Sequence, residues 1–221
     1  MKTNVNLDAI SDGKLYGLND LVRADTGGCR DCSACCHGVG ELVELNPYDV
    51  WALGRHLGQS MDQLLEANLH LRLENRLLLP YLRMVGEDER CSFLNPQGWC
   101  GIHGARPDIC RLFPLGRAYE QGDFSFFLQK GVCVRPRLEK IKVKKWIGIG
   151  DYAANRAFLL DWYQLKKALE FRLRFVREEA EQTALQEVVL DTFYRLSGDT
   201  ADFYEAFNSR LPGAKARLGV L

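Results

Sequence analysis

Cys29-Arg30-Asp31-Cys32-Ser33-Ala34-Cys35-Cys36 places four thiols within eight residues, and the reading of this stretch decides what kind of protein the chain is. Four more follow at Cys91, Cys100, Cys110 and Cys133, for a total of 8. Thiols so crowded either pair with one another or hold metal. Cys29-x2-Cys32 alone has a redox-motif spacing, but a third and a fourth Cys follow at once, and that crowding suits coordination better than pairing.

Compartment points the same way. Met1-Lys2-Thr3-Asn4-Val5-Asn6-Leu7-Asp8 has no apolar core and no small-residue cleavage pattern, unlike a secretory signal. No apolar run approaches the roughly 20 residues needed to span a bilayer. The expectation is a cytoplasmic protein, where thiols are kept reduced and clustered cysteines are usually metal-binding or catalytic. Lys+Arg and Asp+Glu number 29 each, so the chain has no net field to attract nucleic acid or an anionic membrane. At 221 residues, 47% hydrophobic and 26% charged, it has the material for an ordinary core.

Outward from the cluster, residues 1–28 read as an arm ending in Thr26-Gly27-Gly28, where glycines permit the backbone angles needed to wrap an ion. On the other side, Glu41–Leu45 reads as a short strand. Asn46-Pro47 opens a helix that Gly58 closes, and Ser60 caps a second helix over 61–69. Leu71–Glu74 alternates, Asn75 marks a turn, and 76–85 reads as a strand interrupted by Pro80. Asn95-Pro96-Gln97-Gly98 can fold Cys91 back toward Cys100. Phe124–Leu128 is a further strand, and the alternation of Lys140, Lys142 and Lys144 with Ile141 and Val143 predicts a half-exposed one. From about Trp146 the pattern changes. Phe158, Trp162, Leu165, Leu169, Leu173, Val176 and Ala180 recur at three- and four-residue steps, the buried face of a long helix. A second helix is expected over 185–196, stopping at Gly198, and a third from near Asp199 or Thr200. The tail from Leu211-Pro212-Gly213 onward reads as loose. The stripe Phe158, Trp162, Phe171, Phe175 reads as core.

The run Cys29-x2-Cys32-x2-Cys35-Cys36, then Cys91, Cys100, Arg106-Pro107-x2-Cys110-Arg111-x-Phe113-Pro114 and Cys133, resembles the YkgJ-type cysteine-cluster family. That family is also described as the CxxCxxCC zinc- or iron-chelating domain. The similarity spans about residues 29–146. It implies a small metal-binding module, with iron and zinc both open; members are often labelled iron–sulfur oxidoreductases.

Thiolates suit soft and borderline metals. Three Cys at x2 steps are similar to the first part of a bacterial ferredoxin run, but there the fourth Cys stands further on, before Pro, whereas here Cys36 is adjacent to Cys35. In an extended chain, neighbouring side chains leave on opposite faces. Cys36 is therefore expected to bridge or to serve a second site. Cys29, Cys32, Cys35, Cys36, Cys91, Cys100, Cys110 and Cys133 are the candidate ligands, with Cys29, Cys32, Cys35 and Cys110 foremost. An iron–sulfur cluster such as [4Fe–4S] is favoured over zinc, because structural zinc usually draws two Cys pairs from separate knuckles. Arg106 and Arg111 are candidate partners for the thiolate charge. His103, at an x2 step from Cys100, and His37 are alternative ligands; His56 and His70 read as structural.

The expected fold class is α+β. An N-terminal arm (1–28) leads into an irregular Cys-rich metal-binding domain of short strands and helices (29–146), followed by a helical C-terminal extension (147–221). Three functions fit. The chain is a metal-centre protein with a structural, metal-handling or redox role; or an iron–sulfur-dependent oxidoreductase or other enzyme component; or a zinc-stapled module whose C-terminal helices dock a protein partner. No catalytic residue, nucleic-acid surface or membrane anchor is expected.

Overall fold

Asn46 starts the first long helix by closing its free N–H groups: its side chain accepts from the Asp49 N–H at 3.0 Å, and the Asp49 carboxylate accepts from the Asn46 N–H at 3.0 Å. The computed structural model describes residues 7–25, 27, 29, 32–196 and 200–220. Within them, α1 (Leu7–Ile10) and β1 (Leu21–Ala24) precede the cysteine stretch, and α2 (Pro47–Leu57) and α3 (Met61–Ala67) follow it. Gly58 ends α2 in the left-handed conformation, and Ser60 caps α3 by a reciprocal bond pair with Gln63. Part of the expected Thr26-Gly27-Gly28 turn, and Gly198 and Asp199, lie outside the described residues.

The strands form antiparallel pairs rather than one sheet. β2 (Leu69–Glu74) and β3 (Leu77–Leu82) make a hairpin around Asn75 and Arg76, both at positive φ. Next come β4 (Met84–Val85) and β5 (Arg90–Cys91), then α4 (Asp108–Leu112) and a second hairpin, β6 (Leu115–Glu120) with β7 (Asp123–Leu128). Finally β8 (Glu139–Lys142) pairs back with β1, placing Leu21 opposite Lys142. The lysine-rich segment is thus a strand only as far as Lys142, since α5 (Val143–Ile147) begins there and buries Val143 and Ile147.

The helical C-terminal part consists of α6 (Tyr152–Leu173), α7 (Glu179–Val189) and α8 (Phe203–Leu218), with a π-helical turn at Leu190–Tyr194. The class is α+β. One connected apolar core includes Val22, Leu53, Cys91, Ile102, Leu112 and Phe126 and continues through Trp162, Leu169, Phe193, Phe207 and Leu218. Phe158 and Phe207 meet edge to face at 4.8 Å, as do Trp162 and Phe193 at 5.6 Å.

Several local expectations are corrected. Glu41–Leu45 forms a single bridge, Glu44 to Tyr81, because a turn at Leu42 and the helix cap at Asn46 leave no length for a strand. Phe171 lies on the face of α6 opposite the buried Leu169 and Leu173, and Phe175 follows the helix end, so both are exposed, packing on each other at 5.2 Å instead of entering the core. The third helix starts at Phe203 behind an Asp202 cap. Its end is not loose: α8 runs through Pro212 because Leu211, Ala214 and Leu218 are buried on the far side of it.

Candidate metal centre

Four parts of the fold bring the thiols to one region. A 3-10 turn over Ala34–Cys36, closed by the Cys36 N–H to the Ser33 carbonyl at 2.8 Å, carries the double cysteine. The next residue, His37, bridges to Arg90, and the Gly38 N–H bonds to the Glu89 carbonyl at 3.2 Å. This lays the cluster beside β5, which ends in Cys91. The Asn95–Gly98 turn then returns the chain as expected: Leu94 bridges to Cys100, and the Gly101 N–H bonds to the Phe93 carbonyl at 2.9 Å.

Cys110 arrives on α4, which is anchored at both ends. The Asp108 N–H donates to the buried Asp49 carboxylate at 2.8 Å, and the Trp146 indole donates to the Leu112 carbonyl at 3.1 Å. Arg117 clamps the Asp108 carboxylate with both terminal nitrogens, one of them at 2.7 Å. Burial pushes the Asp49 carboxyl up to about 8, and the nearby Asp108 charge adds to this against two backbone N–H donors and Arg117. The loop holding Cys133 is tied by an ion pair at 3.2 Å between Arg135 and Asp25, four residues before Cys29.

The electrostatics trace the grouping. Cys35 is the hub: Cys29, Cys36, Cys91, Cys100 and Cys110 each feel its charge. Cys133 acts on Cys29. The Cys36 thiol donates to the Cys35 sulfur, bringing Cys35 down to about 7 and forcing Cys36 upward. Burial raises Cys29, Cys91, Cys100 and Cys110. Arg106 opposes that rise at Cys29 and Cys100 and also lowers Cys35. Cys32 joins through the backbone, its N–H meeting the Cys29 carbonyl at 3.3 Å. Among the described residues, no three His, Cys, Asp or Glu side chains are already gathered as a metal-holding group. The sulfurs are neighbours, not a closed cage.

The donor set is that of a thiophilic ion. It combines thiols from separate segments, one of them acidic enough to be half ionised near neutrality, with a guanidinium positioned to offset thiolate charge. Arg106 therefore stands where a partner to the thiolates is needed. Arg111 donates to the Gly104 carbonyl at 3.2 Å. His37 faces Asp88 at 3.5 Å, His70 lies on β2 facing Glu41 at 3.6 Å, His56 is on α2, and His103 begins a 3-10 turn.

Two features escaped the sequence reading. Asp49 is legible as the acidic member of an Asn-x-x-Asp capping box, but its bond to Asp108 spans 59 positions and no local pattern announces it. The expected opposite-facing geometry of Cys35 and Cys36 is corrected, because a 3-10 turn replaces the extended chain on which it depended. Residues 28–133 match a family model described as “CxxCxxCC: putative zinc- or iron-chelating domain”. No curated protein and no solved structure matches the chain. No helix of the described residues is long and apolar enough to cross a membrane.

Proposed function

We propose that this chain is a member of the CxxCxxCC family, whose model matches residues 28–133, and that it holds a polynuclear, thiolate-bound metal centre, an iron–sulfur cluster in preference to zinc. The observation that carries the proposal is the convergence on Cys35 of thiols from three other segments, at Cys91, Cys100 and Cys110. Cys29, Cys32, Cys35 and Cys110 are the principal ligands, with Cys91, Cys100 and Cys133 completing the set. Cys36 shares a second ion or bridges, a reading supported by its side-chain contact with Cys35. Bound iron and sulfide would supply one-electron chemistry, whereas bound zinc would supply only structure. The protein's own part is to gather the sulfurs, offset their charge through Arg106 and surround them with apolar side chains. That environment favours a retained centre over a readily exchanged ion.

Oxygen-free purification followed by elemental analysis and an absorption spectrum tests this reading. Brown protein containing iron and acid-labile sulfide, bleached by dithionite, is the expected result. Colourless protein loaded with zinc favours the structural alternative. Protein free of both metals, with a fold indifferent to chelator, overturns the reading.

A further inference from the structure

Beside α4 lies a cavity of about 380 Å³ bounded by α2, α4, the β6–β7 hairpin and α6. Its volume falls within the roughly 300–1,000 Å³ usual for small-molecule sites. No cysteine among the described residues lines it. Two of its lining side chains hold buried donors without an acceptor: the Trp162 indole N–H and the Arg117 Nε–H. Trp162 is 3% exposed and the Arg117 side chain 8%, so bulk water does not readily satisfy either.

The carboxyl groups of the wall are, by contrast, already engaged. Asp108 is held by Arg117, Glu44 by Lys166, and Asp49 by two backbone N–H groups. An occupant must therefore bring acceptors. With Glu44 and Asp108 in the wall already paired to both cations, an added anion would find no free counter-charge. The cavity also offers flat apolar surface, including Tyr119 and Tyr163 stacked at 4.1 Å.

We infer that this cavity binds a small, uncharged, planar organic molecule whose carbonyl or amide oxygen accepts from Trp162 and Arg117. The site is distinct from the cysteine centre and does not depend on its metal. It shares a helix with it: α4 carries Asp108, Ile109 and Leu112 in the cavity wall and Cys110 among the thiols.

Fluorine NMR of 4-fluorobenzamide, titrated with the full chain as isolated, tests the inference. Trp162→Phe removes the N–H while keeping an aromatic ring. Ile109→Trp fills the mouth from a residue that is 44% exposed, so it leaves the core intact. Saturable binding at millimolar concentration or below is expected, weakened about tenfold by Trp162→Phe and abolished by Ile109→Trp, with 4-fluorobenzoate binding more weakly than the amide. Absence of saturable binding, equal affinity for both variants, or tighter binding of the benzoate overturns the inference.

Discussion

The Cys36 thiol donates a hydrogen bond to the sulfur of Cys35, the residue before it, and this one contact drives the two thiols in opposite directions: Cys35 falls to about 7 and Cys36 rises. The 3-10 turn sets consecutive side chains about 120° apart instead of on the opposite faces of an extended chain. Cys35 is also exposed, so the contact creates one reactive thiol at the edge of an otherwise sheltered group.

Removing that donor gives the first prediction. In metal-free protein at pH 7, Cys36→Ala returns Cys35 toward the ordinary thiol value of 9.0, cutting its thiolate fraction from about one half to about 1%. The more basic thiolate is intrinsically more nucleophilic, which recovers roughly tenfold of that loss. A net slowing of about fivefold is expected in Cys35 alkylation by iodoacetamide, followed by peptide mass spectrometry. An unchanged rate would show that the sulfur–sulfur contact does not set the reactivity.

Arg106 supplies the second. It lowers Cys29, Cys35 and Cys100 through its charge, so Arg106→Gln raises all three and makes proton competition with metal stronger. Metal uptake should shift to higher pH and affinity at pH 7 should fall about 10- to 100-fold, as for other outer partners of metal ligands. Cobalt titration monitored by its thiolate charge-transfer band reads this directly, and Arg106→Lys should restore part of the loss. Arg111→Gln should leave the titration in place.

Asp49 gives a dependence on pH. Its folded-state value, raised by burial from 3.8 to about 8, means that the folded chain keeps a proton that the unfolded chain surrenders. Its contribution to stability is therefore complete below about pH 4 and is lost as pH rises through about 8. Relative to Asp49→Asn, the wild type should lose on the order of a few kcal/mol between pH 5 and pH 9 in urea melts. A difference between the two proteins that stays constant with pH would sink the assignment.

Leu218 tests the closing helix. It is fully buried near the end of α8, past Pro212. Leu218→Ala should cost about 2–5 kcal/mol in chemical denaturation. A change of a few tenths would mean that the end of the chain contributes little to the core.

Where the governing interactions are local, the sequence was readable. Asn46, Pro47 and Gly58 mark the two ends of α2 because capping is decided within a few residues. The Asn75 turn and the return of Cys91 toward Cys100 are local in the same sense. The β6 strand was missed although Leu115, Arg117 and Tyr119 alternate, because Gln121-Gly122 was not recognised as its turn. Phe171 and Phe175 read as part of the buried stripe, yet Phe171 stands on the face of α6 opposite Leu169 and Leu173, Phe175 follows the helix end, and both rings are outside. Pro212-Gly213 reads as a break, but a penalty of about 3 kcal/mol for proline inside a helix is offset by burying Leu211, Ala214 and Leu218. For the thiols, spacing pointed to a shared centre. Arg106's part and the contact between Cys35 and Cys36 depended on backbone geometry that the residue types do not encode locally.

X-ray absorption at the metal edge of protein prepared without oxygen tests the central claim most directly. The account predicts a first shell of sulfur at about 2.3 Å, with iron neighbours beyond it if the centre is a cluster. A first shell made only of nitrogen and oxygen, or the absence of any iron or zinc to examine, would contradict it.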